Sequence, residues 1–123
     1  MDRPLTVLVA DDQKDTADTL AELLNLSGFD ARAAALPLDA LRLAADAPPD
    51  VVVMDLAWPD VDGYSLAKAV ENMAGHRPFL VAVTGHNGYE GRSRAEGFDA
   101  HFVKPVDPAR LVGYLQGQAR ARD

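Results

Sequence analysis

Val51-Val52-Val53-Met54 runs apolar for four residues and then meets Asp55. The run is rich in β-branched residues and does not alternate with polar ones. It therefore predicts a strand buried on both faces, as in a parallel sheet covered by helices. Three further runs share the pattern: Leu5-Thr6-Val7-Leu8-Val9-Ala10, Phe79-Leu80-Val81-Ala82-Val83 and Ala100-His101-Phe102-Val103. Phe29 to Ala34 is a weaker fifth that alternates in part and suits a sheet edge.

Helical periodicity fills the intervals. Ala17, Leu20, Leu23 and Leu24 mark one face of a helix from about Asp15 to Leu26, with Gly28 as its C-cap. Leu38, Leu41 and Ala45 mark a second, opened by Pro37 and closed before Pro48-Pro49. Tyr64 to Ala74 reads as a third, stopped by Gly75, and Tyr89 to Glu96 as a short polar fourth. The last runs from Asp107, its N-cap, to about Arg120, with Leu111, Val112 and Leu115 on the apolar face. Strand and helix thus alternate five times with short loops. Right-handed crossovers make this a doubly wound α/β fold, a five-stranded parallel sheet with helices on both faces.

The chain has 123 residues, enough for one domain, and 48% are hydrophobic, so a core needs no staples. Cysteine is absent, which excludes a disulfide framework, a thiolate zinc site and a thiol nucleophile. The 12 Lys+Arg and 19 Asp+Glu leave a net charge of −7, which opposes binding to nucleic acid or an anionic membrane. No stretch is apolar for long enough to span a bilayer, and the start lacks a signal-peptide pattern. A cytoplasmic protein is expected.

In doubly wound sheets, ligands sit beyond the carboxyl ends of the strands. Here those ends carry Asp11-Asp12, Asp55, Thr84 and Lys104-Pro105. Each alone has a plain structural reading: Asp12 as a helix cap, Asp55 opening a turn with Pro59 and Asp62-Gly63, Thr84 as a strand end, Lys104 as a solvated loop residue. Together they deliver three carboxylates, a hydroxyl and an ammonium to one edge. Converging carboxylates repel, and a divalent cation removes that cost. All-oxygen ligands suit Mg²⁺, with Mn²⁺ as the alternative. Asp55, ending the most buried run, is the natural carboxylate nucleophile toward a phosphoryl group, which Lys104 and Thr84 could hold. His76 reads as a surface-loop residue and His86 as a neighbour of the site.

This ordered set resembles the receiver domain of two-component response regulators across essentially the whole chain, residues 1–123 as a single receiver domain. The residues that carry the resemblance are Val7-Leu8-Val9-Ala10-Asp11-Asp12, Val51 to Leu56 with Pro59 and Asp62-Gly63, Val83-Thr84-Gly85, and Gly97 to Pro105. The spacings Asp12–Asp55, Asp55–Thr84 and Thr84–Lys104 are 43, 29 and 20. The resemblance implies a flavodoxin-like strand order 2-1-3-4-5 and Asp55 as phosphoacceptor. It implies Mg²⁺ held by Asp11, Asp12, Asp55 and the backbone carbonyl of Ala57, with Thr84 and Lys104 gripping the phosphoryl group. The Lys104–Pro105 bond is expected to be cis. Thr84 and His101 fall at the family's switch positions, where His101 replaces an aromatic ring that turns inward on activation. Trp58 and Ala57 also depart from common family residues.

The implied partners are a histidine kinase or histidine phosphotransfer domain and a downstream protein target. The implied role is a signalling switch whose only chemistry is its own phosphorylation and dephosphorylation. The chain reads either as a complete single-domain regulator or as the receiver of a hybrid kinase. A haloacid-dehalogenase-like phosphohydrolase is the alternative, but it wants an acid two residues after Asp11, where Gln13 stands. A flavodoxin-type module wants a Ser/Thr/Gly-rich phosphate loop in place of the acidic pair.

Overall fold

The computed structural model describes residues 3–85 and 90–122. Ten elements alternate: β1 (Thr6–Ala10), α1 (Lys14–Leu26), β2 (Asp30–Ala34), α2 (Pro37–Asp46), β3 (Val51–Asp55), α3 (Gly63–Ala74), β4 (Phe79–Thr84), α4 (Glu90–Ala95), β5 (Ala100–Val103) and α5 (Pro108–Arg122). All strand pairs are parallel, in the order β2-β1-β3-β4-β5. The expected fold and order are both observed.

The unbroken apolar runs have a simple cause. Successive strand side chains alternate between faces, and both faces are covered. Val7, Val9, Val51, Val53, Val81 and Val83 pack with Ala17, Ala21, Leu24, Leu111 and Leu115 of α1 and α5. Leu8, Ala10, Val52, Met54, Leu80 and Ala82 pack with Ala40, Ala44, Leu66, Ala67 and Val70 of α2 and α3.

Helix ends follow the sequence with small corrections. The C-cap of α1 is Ser27, and Gly28 lies one residue beyond it with φ 98°. Gly75 caps α3 in the left-handed conformation, φ 78°, which favours glycine. Asp107 Oδ1 accepts the Ala109 N–H at 3.0 Å, as an N-cap should. The fourth helix begins at Glu90, so Tyr89, its expected first residue, lies outside the described residues.

The strand-entry edge is fastened by acids. Asp50, just before β3, accepts the Thr6 N–H at 2.9 Å and both ends of the Arg3 guanidinium at 2.7 and 3.0 Å. Asp99, just before β5, accepts the Leu80 N–H at 2.8 Å and pairs with Arg77. At the β2 margin, Asp30 donates its N–H to the carbonyl of Leu5, just before β1, so Ala31 turns its backbone outward. The Asn25 carboxamide takes both outward groups: Oδ1 accepts the Ala31 N–H at 2.7 Å and Nδ2 donates to the Ala31 carbonyl at 3.1 Å.

Candidate functional site at the carboxyl edge

Strand parity sorts the strand-end residues. Val9 pairs with Val53, and Asp11 and Asp55 continue that parity, so both carboxylates rise on the α1/α5 side. Phe102 pairs with Val83 and Lys104 extends its parity to the same side. Ala82 pairs with His101, which puts Thr84 and His101 on the opposite, α3/α4 side.

Ligand oxygens of Asp11, Asp12 and Asp55 lie within 4.8 Å of one another. Asp11 and Asp55 are buried and Asp12 is half-buried. Lys104 Nζ lies 3.2 Å from Asp55 Oδ2 and 3.3 Å from Asp11 Oδ2, bridging the two buried acids. The remaining oxygens are held by turns: Asp55 Oδ1 accepts the Ala57 N–H at 3.0 Å, and Asp11 Oδ1 accepts the Gln13 N–H at 2.9 Å. Gln13, not Asp12, occupies the N-cap position of α1, and it makes no side-chain cap bond. The structural reading of Asp12 as a helix cap is therefore set aside. The Lys104–Pro105 peptide is cis, as expected.

Burial pushes the Asp55 carboxyl up to about 6, and the neighbouring Asp11 adds to the rise. The Ala57 N–H and Lys104 oppose it. Burial disfavours the Lys104 charge, yet Asp55 and Asp11 outweigh it and hold the ammonium above its ordinary value. An oxygen-only donor set gathered this tightly fits a hard divalent cation such as Mg²⁺. A groove of about 610 Å³ opens beside these residues, between α1 and the loop entering α5, with Leu20, Leu23, Pro105 and Val106 in its walls.

Thr84 is 1% exposed. Its Oγ1 lies 3.2 Å from Nε2 of His101, whose Nδ1 lies 3.3 Å from Ser93 Oγ in α4. His101 is half-buried and turned onto Thr84. Ser93 Oγ in turn lies 3.1 Å from the Tyr64 hydroxyl of α3, and the Arg92 guanidinium sits 4.2 Å over the Tyr64 ring.

Sequence reasoning missed Ser93 and Tyr64. The polar pattern of α4 shows a small helix but not which hydroxyl meets His101. It also missed that Trp58 Nε1 donates to the Asp55 carbonyl at 2.6 Å, tying the indole to the backbone of Asp55. His76 is exposed, as expected, and His86 lies outside the described residues.

Residues 7–116 match the response regulator receiver domain family. The transcriptional regulatory protein PrrA of Mycobacterium tuberculosis is 34% identical over 118 residues, covering 94% of this chain and 50% of PrrA. This chain thus spans about half the length of that relative. The polar-differentiation response regulator DivK of Brucella anthropi is 29% identical, with 89% of this chain and 91% of DivK covered. The CheY-like receiver domain structure from Methylobacillus flagellatus superposes with a TM-score of 0.81 at 32% identity, covering 93% of this chain and 98% of that one. These matches give no support to the phosphohydrolase alternative.

Proposed function

The chain belongs to the response regulator receiver domain family, a family of phosphoacceptor switches, and on that premise we propose that Asp55 is its phosphoacceptor. The observation that carries this is the bridge from Lys104 to Asp55 and Asp11 beside a third carboxylate. Two buried acids with a third, half-buried one beside them carry more negative charge than one lysine offsets, which leaves a place for a further cation.

The donor is a phosphohistidine on a histidine kinase or phosphotransfer domain. An Asp55 carboxylate oxygen forms the new bond to phosphorus as the bond from phosphorus to the histidine nitrogen breaks, and the electron pair leaves with the imidazole. Asp11, Asp12, Asp55 and the Ala57 carbonyl would hold Mg²⁺, which when bound neutralises and orients the phosphoryl oxygens. Lys104, bridged to both acids in the ground state, turns its ammonium to a phosphoryl oxygen once charge arrives. Thr84 donates its hydroxyl to another. The Ala57 N–H holds Asp55 Oδ1, and Oδ2, released as Lys104 turns, is the oxygen that attacks.

Residues 1–123 act as one receiver, cytoplasmic, whose phosphorylation changes a contact with a downstream protein. Among the described residues no helix is long and apolar enough to cross a membrane.

Acetyl phosphate with Mg²⁺ should add one phosphoryl group to the chain by intact-mass spectrometry, and Asp55→Asn should add none. An adduct that survives in Asp55→Asn would refute the assignment. Trp58 fluorescence should report Mg²⁺ and then beryllofluoride. A metal response unchanged in Asp11→Asn and Asp12→Asn would remove the acidic pair from the metal site.

A further inference from the structure

His101 touches a hydroxyl with each ring nitrogen: Thr84 at Nε2 and Ser93 at Nδ1. Both hydroxyl residues are 1% exposed, so neither contact is readily exchanged for bulk water. A neutral imidazole offers one donor and one acceptor, and which nitrogen carries the proton sets the sense of both hydrogen bonds. With the proton on Nδ1, Nε2 is an acceptor and the Thr84 hydroxyl spends its hydrogen on the ring. With the proton on Nε2, the ring donates to Thr84 Oγ1, and the Thr84 hydrogen turns off the ring. Only in the second arrangement can Thr84 donate to a phosphoryl oxygen.

We propose that His101 is a positioning residue for phosphoryl transfer: its Nε2–H, set by an O–H from Ser93 to Nδ1, aims the Thr84 hydroxyl hydrogen toward the phosphoryl group on Asp55. This rests on the reading of Asp55 as phosphoacceptor and assigns a role to a side chain that never meets the reacting atoms. The chain continues one step further. The Tyr64 hydroxyl lies 3.1 Å from Ser93 Oγ, and a Ser93 that donates to His101 accepts its hydrogen from Tyr64. Parity supports the division of labour. Lys104 reaches the phosphoryl site from the α1/α5 side, and Thr84 with His101 reaches it from the other. The two cationic or donor groups therefore do not compete for space.

The test uses the whole chain with Mg²⁺ and acetyl phosphate, the phosphorylation rate being followed by intact mass. His101→Leu should slow the reaction about tenfold, since the donor it directs remains but is misaimed. In a Thr84→Ala background the same substitution should have no further effect, because the group it acts through is gone. His101→Gln, which can again present an N–H to Thr84, should recover most of the rate, which a loss of packing alone would not allow. Imidazole ¹⁵N shifts of the wild-type chain with the His101 ring neutral should report the Nε2–H tautomer, and this reading stands even if His101→Leu fails to fold. A wild-type Nδ1–H tautomer, or equal effects of His101→Leu with and without Thr84, would overturn the inference and leave the reading of Asp55 intact. A wild-type chain that takes no phosphoryl group would overturn both.

Discussion

As the proposed phosphoacceptor, Asp55 has to act as a nucleophile while only 2% exposed, and those two demands conflict. Burial lifts its carboxyl to about 6, so the native chain binds that proton more tightly than the unfolded chain, whose carboxyl titrates near 3.8. In the window between them the folded state carries the extra proton. Stability therefore falls as pH rises from about 4 to about 6, and stays at the lower level above. Asp55→Asn removes the charge and with it the loss. In metal-free buffer at about pH 7 the variant should be more stable than the wild type by about 1–2 kcal/mol, less than the full shift because Lys104 loses a partner. Near pH 4 the gap should close. Urea unfolding at the two pH values checks this, and a gap that does not change with pH would contradict it. At this scale the sequence was legible where residues end strands: Asp11, Asp12, Asp55, Thr84 and Lys104 are visible as polar residues closing apolar runs. What His101 touches was not legible, because Thr84 and Ser93 reach it through strand register and the placement of α4. A linear pattern carries neither.

The loop from β3 to α3 shows a second kind of information that composition hides. Asp62-Gly63 reads as turn chemistry, yet Gly63 is required for another reason. A Cβ there would stand 2.5 Å from the Leu56 Cα and 2.7 Å from its carbonyl oxygen. Both are backbone atoms of the residue that follows Asp55, so they cannot swing aside. Ala57 and Asp62 form an isolated antiparallel bridge that holds the two limbs together. Gly63→Ala should cost about 2–3 kcal/mol. It should also weaken the Mg²⁺ response of Trp58 in the molecules that remain folded, because the Ala57 N–H that steadies Asp55 moves with the loop. Thermal unfolding and a Mg²⁺ titration measure the two effects. Wild-type stability would show that the loop yields. Element boundaries tell the same story. β3 and β4 each run one residue further than their apolar runs, to Asp55 and Thr84, since a ladder ignores whether its last side chain is polar. Element types were readable because both sheet faces are covered, which leaves the inner strands β1, β3 and β4 almost uniformly apolar.

Across the whole molecule the two edges of the sheet treat acid in opposite ways. At the strand-entry edge Asp50 and Asp99 each have an arginine and a backbone N–H, whereas at the exit edge, among the described residues, three acids gather beside Lys104. The entry edge supplies stability that the exit edge gives up. Asp50→Ala should therefore cost about 2–3 kcal/mol, because the half-buried Thr6 N–H loses its acceptor. Arg3→Ala should cost under about 1 kcal/mol, since the Arg3 side chain is 68% exposed. Mg²⁺ affinity should stay within about twofold of wild type in both, additivity being expected for distant sites. An affinity lost in step with stability would mean that the edges are coupled. The β2 margin has a consequence of its own. By engaging both outward groups of Ala31, the Asn25 carboxamide stands in for one residue of a sixth strand. An extended segment arriving there must first evict an amide to gain a main-chain ladder. Main chain is common to every protein, so such a ladder would welcome strangers. With that invitation withdrawn at Ala31, a visitor has to be recognised there by its side chains, where selectivity resides.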